Sequence, residues 1–474
     1  MNNKRTKIVA TISDKRAEPL FLEQLYKAGM DVVRINTAHQ DIEGTRRVLE
    51  NVRKVSDKIA FLLDTKGPEV RTTVCEQSVN FKEGEFVKLT GEPDTRTSQS
   101  VIAVSYPDFA YDVDVGARIM IDDGILELEV LSRDGRTLEC VVLNDGELGS
   151  MKSVNVPNVK LSLPSISEKD KRYIDFAIEN DVDFIAHSFV RTAKDVKDVQ
   201  KILDKKKSKI KIIAKIENQE GVDNINEIME HAYGIMVARG DLAIEIPYEK
   251  IPGIQRKIID KCIKRRKPVI VATQMLHSMI DNPRPTRAEV SDIANAIYYQ
   301  TDAIMLSGET AYGKYPVEAV ETMTRVALEV EKNKTRFLDL PAGSLTGEVS
   351  AYLAKVAVKT ASRINAKCII SDTVRGRTIR NMSSFRGINY ILAQCYSPRT
   401  MRELALSYGV YPGLQEKHKS TDMFLKVALE NLLESHKLKD NDMIVVLAGN
   451  FNRGTGSSYI EVGSVEYLKE RFSS

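Results

Sequence analysis

Eight short apolar runs punctuate the first two-thirds of the chain: Ile8–Ile12, Val32–Ile35, Ile59–Leu63, Phe184–Val190, Ile212–Ile216, Ile235–Val237, Val269–Ala272 and Ala303–Leu306. They are too brief for helices, and amphipathic helical patterns lie between them, so the chain is expected to build βαβ units around a parallel sheet. Eight such units predict a (β/α)8, or TIM, barrel, whose reactive groups sit where strands end and the following loops begin. Those ends carry Arg34 and Asn36, then Asp64, Thr65 and Lys66, then Ser188. Lys215 and Glu217, Arg239 and Asp241, Thr273 and Gln274, and Ser307 and Glu309 follow. Purely structural polar residues would scatter over both ends of a barrel. Their one-sided placement predicts an anionic substrate bound together with a metal.

The densest chemistry lies in KIIAKIENQEG (211–221) and GIMVARGDL (234–242). If these two strands are parallel neighbours, Glu217 and Asp241 stand beside the Lys215 ammonium. Hard divalent cations take oxygen ligands, typically one or two carboxylates plus substrate phosphates. A nearby lysine is then free to neutralise a transferring phosphoryl group. A structural ion-pair network would explain one such strand end; the repetition along the chain favours chemistry.

The strand spacing breaks once, between Asp64 and Phe184. From Arg71 to about Val156 the chain shows β-like runs, Phe86–Leu89 and Ile125–Val130 among them, with turn signals at Asp123-Gly124, Asp134-Gly135 and Asp145-Gly146. This predicts a small all-β domain inserted after the third barrel strand, hinged at Gly67-Pro68 and able to act as a lid that excludes water. Helix starts are expected at Ser167 and Thr286, each followed three residues on by a carboxylate, Asp170 or Glu289. Around Leu340-Pro341-Ala342-Gly343 the pattern reads as a linker. A helix over Val349–Ile364 and strands Cys368–Ile370, Tyr390–Ala393 and Met443–Leu447 predict a C-terminal three-layer α/β domain. The expected division is barrel 1–69, lid 70–156, barrel 157–338 and C-terminal domain 347–474, in line with roughly three domains for 474 residues.

Composition narrows the partners. Lys plus Arg number 69 against 66 Asp plus Glu, a net +3 with no electrostatic footprint for nucleic acid. The basic runs Lys205–Lys207 and Lys264–Lys267 are expected at helix C-termini instead. No apolar run approaches the roughly 20 residues that span a bilayer, and MNNKRTKIVATI lacks a signal-peptide core. Five scattered cysteines form no C-x-x-C pair, which predicts reduced thiols in the cytoplasm. The six histidines show no metal-ligand spacing, so zinc is not expected.

LLDTKGPEVRT (62–72), KIIAKIENQEG (211–221), IMVARGDLAIEIP (235–247), ATQMLHSM (272–279), PRPTRAEVSDIANA (283–296) and MLSGETAYGKYP (305–316) together resemble the pyruvate kinase family. The likeness runs the whole length of the chain in one domain order. It implies a barrel, an inserted lid and a C-terminal regulatory domain, the reaction of phosphoenolpyruvate with ADP to give pyruvate and ATP, and a homotetramer. Carried over residue by residue, it implies Mg2+ or Mn2+ on Glu217 and Asp241 and phosphoryl stabilisation by Lys215. Arg34 matches a substrate-phosphate ligand, and Gly240, Asp241 and Thr273 the groups about the substrate carboxylate, with Ser188 at the substrate and Thr273 also in the proton relay. Asn36, His39, Arg71 and Lys152 match positions facing the nucleotide. Asn36, Asp64 and Thr65 match K+ ligands.

Ala38 stands where the family has a serine ligand to K+, whereas Glu69 is the residue type that accompanies K+ dependence; the expectation is K+ activation with weakened affinity. Ser13-Asp14-Lys15-Arg16 replaces a Gly-Pro loop, and Ala243 a glycine. In the C-terminal domain Thr373, Gly376 and Thr378 match an effector-phosphate loop in which Arg375 replaces a serine, so a sugar-phosphate or nucleotide effector is implied without its identity. Two other readings are a degenerate metabolite sensor and a metal-dependent aldolase; the retained Lys215, Glu217, Asp241 and Thr273 count against the first, and Lys215 with the inserted domain against the second.

Overall fold

The computed structural model describes residues 4–333, 349–418, 420–435, 438–449 and 457–470. The expected linker at Leu340–Gly343 lies outside them. Eight parallel strands close a barrel: β1 (Lys7–Thr11), β2 (Val32–Asn36), β3 (Ala60–Asp64), β4 (Phe184–His187), β5 (Lys211–Ile216), β6 (Gly234–Ala238), β7 (Val269–Ala272) and β8 (Ala303–Leu306). Each pairs with its neighbours in sequence, and β1 closes the ring against β8. Both faces of this sheet are covered, which is why the strands are continuous apolar runs rather than alternating ones. Val9, Val32, Leu62, Phe184, Ile213, Met236, Ile270 and Met305 fill the interior, while Ile8, Val33, Phe61, Ile185 and Ile235 pack under the helices. The fourth strand is shorter than expected: it stops at His187, because Phe189 takes a left-handed φ of 54° and turns the chain at Ser188.

Both capping pairs form. The Ser167 and Thr286 side chains each accept the N3 amide of their helix, and Asp170 and Glu289 reach back to the cap. The basic runs sit where the helices Ala193–Lys205 and Ile251–Lys264 end.

Between β3 and β4 a seven-stranded sheet runs from Val70–Arg71 to Ser153–Asn155, beside a two-stranded ribbon of Val79–Phe81 and Gly146–Leu148. It is not wholly as expected. Phe86–Thr90 and Val101–Ala103 pair parallel, and Phe109–Asp112 forms one helical turn, so the insert is a mixed sheet with a short helix. The turns at Asp123-Gly124 and Gly135 are present as positive-φ positions. Asp145-Gly146 is different: Gly146 opens a strand, and a Cβ there would press to 2.8 Å from the Ile125 carbonyl oxygen. Glycine is needed for close approach, not for a turn.

One buried carboxylate ties down both ends of this insertion. Asp170 Oδ1 accepts the Lys66 amide at 2.9 Å on the outgoing connection, and its Oδ2 accepts the Ser167 amide at 3.1 Å and hydroxyl at 2.6 Å on the return. Gly67, at φ 74°, makes the intervening turn where a Cβ would clash with Ser188.

The C-terminal part is a five-stranded sheet centred on Cys368–Thr373, with helices on both faces. Val349–Arg363 and Arg377–Ser384 cover one side; Thr421–Ser435 and Val465–Glu470 cover the other. This domain docks at the N-terminal ends of the barrel strands. Asp302, just before β8, receives Arg386 through two bonds of 2.8 and 2.6 Å and the Tyr408 amide at 3.0 Å. Asp183, just before β4, receives Arg402 at 2.6 Å. Ala405 and Leu406 belong to the same packed cluster as the barrel interior. No described helix is long and apolar enough to cross a membrane.

Candidate active site

At the opposite, C-terminal end of the barrel the strands deliver their charged residues to one place. Asp64, at the end of β3, is fully buried and acts as the hub. Its Oδ2 accepts Arg34 Nε from β2 at 2.6 Å, and its Oδ1 lies 3.0 Å from Lys215 Nζ of β5. Burial alone would raise the Asp64 carboxyl, but Arg34 and Lys215 hold it below the usual carboxylate range. Arg34 also donates to the Thr11 hydroxyl at 2.9 Å.

Lys215 is clasped on three sides: Ser188 Oγ at 2.7 Å, Glu217 Oε1 at 2.8 Å and Asp64. Burial pulls its ammonium down, yet Asp64 and Glu217 outweigh burial and keep it above the ordinary lysine range. It stays charged at any physiological pH. β5 and β6 are parallel neighbours with Lys215 opposite Met236, so Glu217 and Asp241 leave adjacent strand ends as the spacing argument requires. Burial pushes the Glu217 carboxyl up to about 7 against the pull of Lys215, with Asp241 adding to the rise. Asp241 is likewise raised by burial against the pull of Lys215, with Asp64 and the lid's Asp123 adding to the rise.

Two buried carboxylates on adjacent strand ends, each disfavoured as an anion by burial and by the other negative charges around it, are the donor chemistry that suits a hard divalent ion. Among the described residues no group of three or more His, Cys, Asp or Glu side chains could hold a metal. A pair fits an ion that completes its shell with substrate oxygens and water. Glu217 is held in place by the Phe189 amide, which donates to its Oε2 at 2.5 Å.

Thr273 follows β7 with φ 68° and Gln274 follows with 53°. A β-branched residue in this region is strained and persists only where its surroundings hold it. The Thr273 hydroxyl accepts the Gly240 amide and donates to the Ala272 carbonyl, both at 2.7 Å. Glu309 anchors the far side of the same loop, accepting the Leu276 amide at 3.0 Å and the Ser307 amide at 2.7 Å.

The residues matched to the nucleotide stand around the rim. Asn36 Oδ1 accepts the Ala38 amide at 3.1 Å. Burial and then Arg71 and Arg34 depress the His39 imidazole below its usual value. Arg71 pairs with Glu69 at 2.6 Å, and Lys152 with Asp122 at 2.7 Å on the lid. Ser188 donates to the Thr65 carbonyl at 2.6 Å, and its amide reaches Thr65 Oγ1 at 3.1 Å. Far away, at the C-terminal sheet, the Thr373 hydroxyl accepts the Gly376 amide at 2.8 Å; Gly376 has φ 73° and caps the helix that carries Thr378, and Arg375 is exposed.

Sequence reasoning passed over Thr11, Asp123 and Asp292. Thr11 was visible as a polar residue at the end of an apolar run. Asp123 sat in a turn signal, and Asp292 lies mid-helix inside the PRPTRAEVSDIANA stretch, where nothing local sets it apart from a solvent-facing aspartate.

Comparisons with known proteins point to one family over the whole chain. The family model described as pyruvate kinase, barrel domain, matches residues 3–320, and that described as pyruvate kinase, alpha/beta domain, matches residues 352–461. The chain is 48% identical over 473 residues to a pyruvate kinase of Borreliella burgdorferi, with 98% of each chain covered. It is 44% identical to a pyruvate kinase of Staphylococcus saprophyticus, covering 94% of this chain and 78% of the relative. A crystal structure of a pyruvate kinase from Cryptosporidium parvum superposes with a TM-score of 0.91 at 34% identity, covering 98% of this chain and 96% of that one.

Proposed function

The chain belongs to the pyruvate kinase family and is a phosphotransferase acting on phosphoenolpyruvate and ADP; from that premise we propose how the groups at the barrel mouth divide the work. The observation that carries the reading is Lys215, a buried ammonium held at 2.8 and 3.0 Å between Glu217 and Asp64. Phosphoryl transfer asks for positioning and charge neutralisation rather than covalent chemistry from the protein. Arg34 binds the phosphate of phosphoenolpyruvate, and Lys215 neutralises the phosphoryl group as it moves to ADP. A divalent cation, Mg2+ or Mn2+, held by Glu217 and Asp241 would supply positive charge to the phosphate and carboxylate oxygens. The Gly240 and Asp241 backbone and Thr273 orient the substrate carboxylate, and Ser188 holds Lys215 toward the substrate.

After transfer, the enolate of pyruvate needs a proton at C3. Thr273 relays it: its O–H bond breaks as the C3–H bond forms, and its oxygen recovers a proton from solvent. Asn36, His39, Arg71 and Lys152 face the nucleotide, two of them brought by the lid, whose closure excludes water. The lid is taken as residues 70–156, a reading supported by the inserted sheet between Val70–Arg71 and Ser153–Asn155. A homotetramer, an effector bound at Thr373, Arg375, Gly376 and Thr378, and a cytoplasmic location extend the same reading on the strength of the family.

For K+, Asn36, Asp64 and Thr65 supply oxygens, and Ala38 lacks the hydroxyl of the family's serine. Pyruvate formation from phosphoenolpyruvate and ADP, measured with Mg2+ across a K+ titration, tests this. Activation by K+ with a half-saturating concentration lowered several-fold in Ala38→Ser is the expected result. Turnover indifferent to replacing K+ with a non-binding cation would overturn the monovalent site.

A further inference from the structure

The segment PRPTRAEVSDIANA carries no role in the reaction described above, yet one of its carboxylates reaches the proton relay through a single side chain. Asp292 Oδ2 accepts Arg239 Nη1 at 2.5 Å. The same guanidinium donates from Nη2 to the Thr273 carbonyl at 2.6 Å and from Nε to the Ala272 carbonyl at 3.3 Å. Arg239 therefore grips two successive carbonyls of the loop in which Thr273 and Gln274 are held at positive φ. Its side chain is mostly buried, and a planar fork with one carboxylate partner leaves it little freedom to swing.

Ala272 O is the acceptor that the Thr273 hydroxyl uses at rest. For the hydroxyl to serve the substrate, it must leave that carbonyl, and a buried carbonyl abandoned by its donor is costly. Arg239 Nε already donates to the same oxygen. When the hydroxyl rotates toward C3 of the enolate, the carbonyl keeps a charged donor.

We propose that Arg239, held by Asp292, is a positioning residue for enolate protonation: it fixes the strained Thr273 backbone and keeps Ala272 O satisfied while the Thr273 hydroxyl delivers its proton. This rests on the assignment of Thr273 to the relay. Phosphoryl transfer, which depends on Arg34, Lys215 and the carboxylate pair, does not pass through the clamp.

The test is steady-state kinetics of the whole enzyme with Mg2+ and K+, in H2O and in D2O, for Asp292→Asn and Arg239→Lys. Both variants are expected to lose tenfold or more in kcat, to keep KM for phosphoenolpyruvate within about twofold, and to show a larger solvent isotope effect than wild type, because protonation becomes the slow step. ATP should then appear ahead of pyruvate in the first turnovers. An unchanged kcat, an unchanged isotope effect, or a fall in kcat matched by a rise in KM would overturn the proposal. Two variants with different chemistry guard against one that fails to fold. If Thr273→Ala protonates as fast as wild type, the relay assignment fails; if it does not and the clamp variants are normal, only the clamp fails.

Discussion

Replacing Lys215 by methionine removes one positive charge and little volume, since the unbranched thioether fills a lysine-shaped slot. In the folded protein the ammonium lies 2.7 Å from Ser188 Oγ, 2.8 Å from Glu217 and 3.0 Å from Asp64. Breaking a buried pair by removing one partner commonly costs about 3–5 kcal/mol. Here the lower end is expected, because Asp64 keeps Arg34 at 2.6 Å and Glu217 protonates readily. Catalysis should suffer more. A single preorganised neutral donor is worth roughly 10²–10³ in rate, and a full charge on a transferring phosphoryl group about 10³–10⁵. Thus kcat is expected to fall by at least about 10³, or ~4 kcal/mol of barrier, while KM for phosphoenolpyruvate rises far less, since Arg34 remains. A lactate dehydrogenase-coupled assay at saturating substrate measures this, with thermal unfolding and circular dichroism run on the same preparation. A folded variant turning over within about tenfold of wild type would refute the role given to Lys215.

His187 gives a pH prediction. It is buried at the end of β4 with neither ring nitrogen hydrogen-bonded, and burial depresses its imidazole to about 4; Asp195 and Asp170 pull the other way, Lys215 and Arg191 the same way. The unfolded chain binds this proton near 6.5, so the stabilising contribution is complete above about pH 6.5 and is lost as pH falls toward 4, by about 3 kcal/mol at most. Unfolding midpoints of wild type and His187→Met over pH 4–7.5 should diverge, the wild type falling more steeply; parallel curves would remove His187 from the acid response. Asp170→Asn should place an amide against donors on one side of the hinge, at a cost of about 1–3 kcal/mol. Hydrogen exchange at residues 66–67 and 167 should quicken several-fold, and unchanged protection there would mean the carboxylate does not pin the lid.

The strands and helix starts were legible because local pattern decides them. All eight apolar runs became barrel strands, and Ser167 and Thr286 capped the helices they announce, through contacts only three residues long. Glu217, Asp241 and Lys215 were legible as a cluster because parallel neighbours bring consecutive strand ends together. What the pattern could not supply is what depends on distant partners. Asp64 was expected as a K+ ligand, and nothing local announces that it is also the shared counter-charge of Arg34 and Lys215. Asp292 lies 53 residues from Arg239, in a helix where a solvent-facing aspartate would look the same. The left-handed backbone at Phe189 and at Thr273 goes against the preference of both residue types, so propensity pointed elsewhere. Both departures border the site, where tertiary contacts can hold what local energetics disfavour.

The placement of Leu406 bears on how the molecule comes into being. During synthesis β8 is complete long before Ala405 and Leu406 leave the ribosome, a delay on the order of ten seconds at ordinary elongation rates. Until then the nascent barrel has every strand it needs but lacks the two residues that complete its interior apolar cluster from the C-terminal domain. The C-terminal domain is therefore a component of the barrel's own interior, and a gene shortened to the barrel alone would encode a vessel without a base.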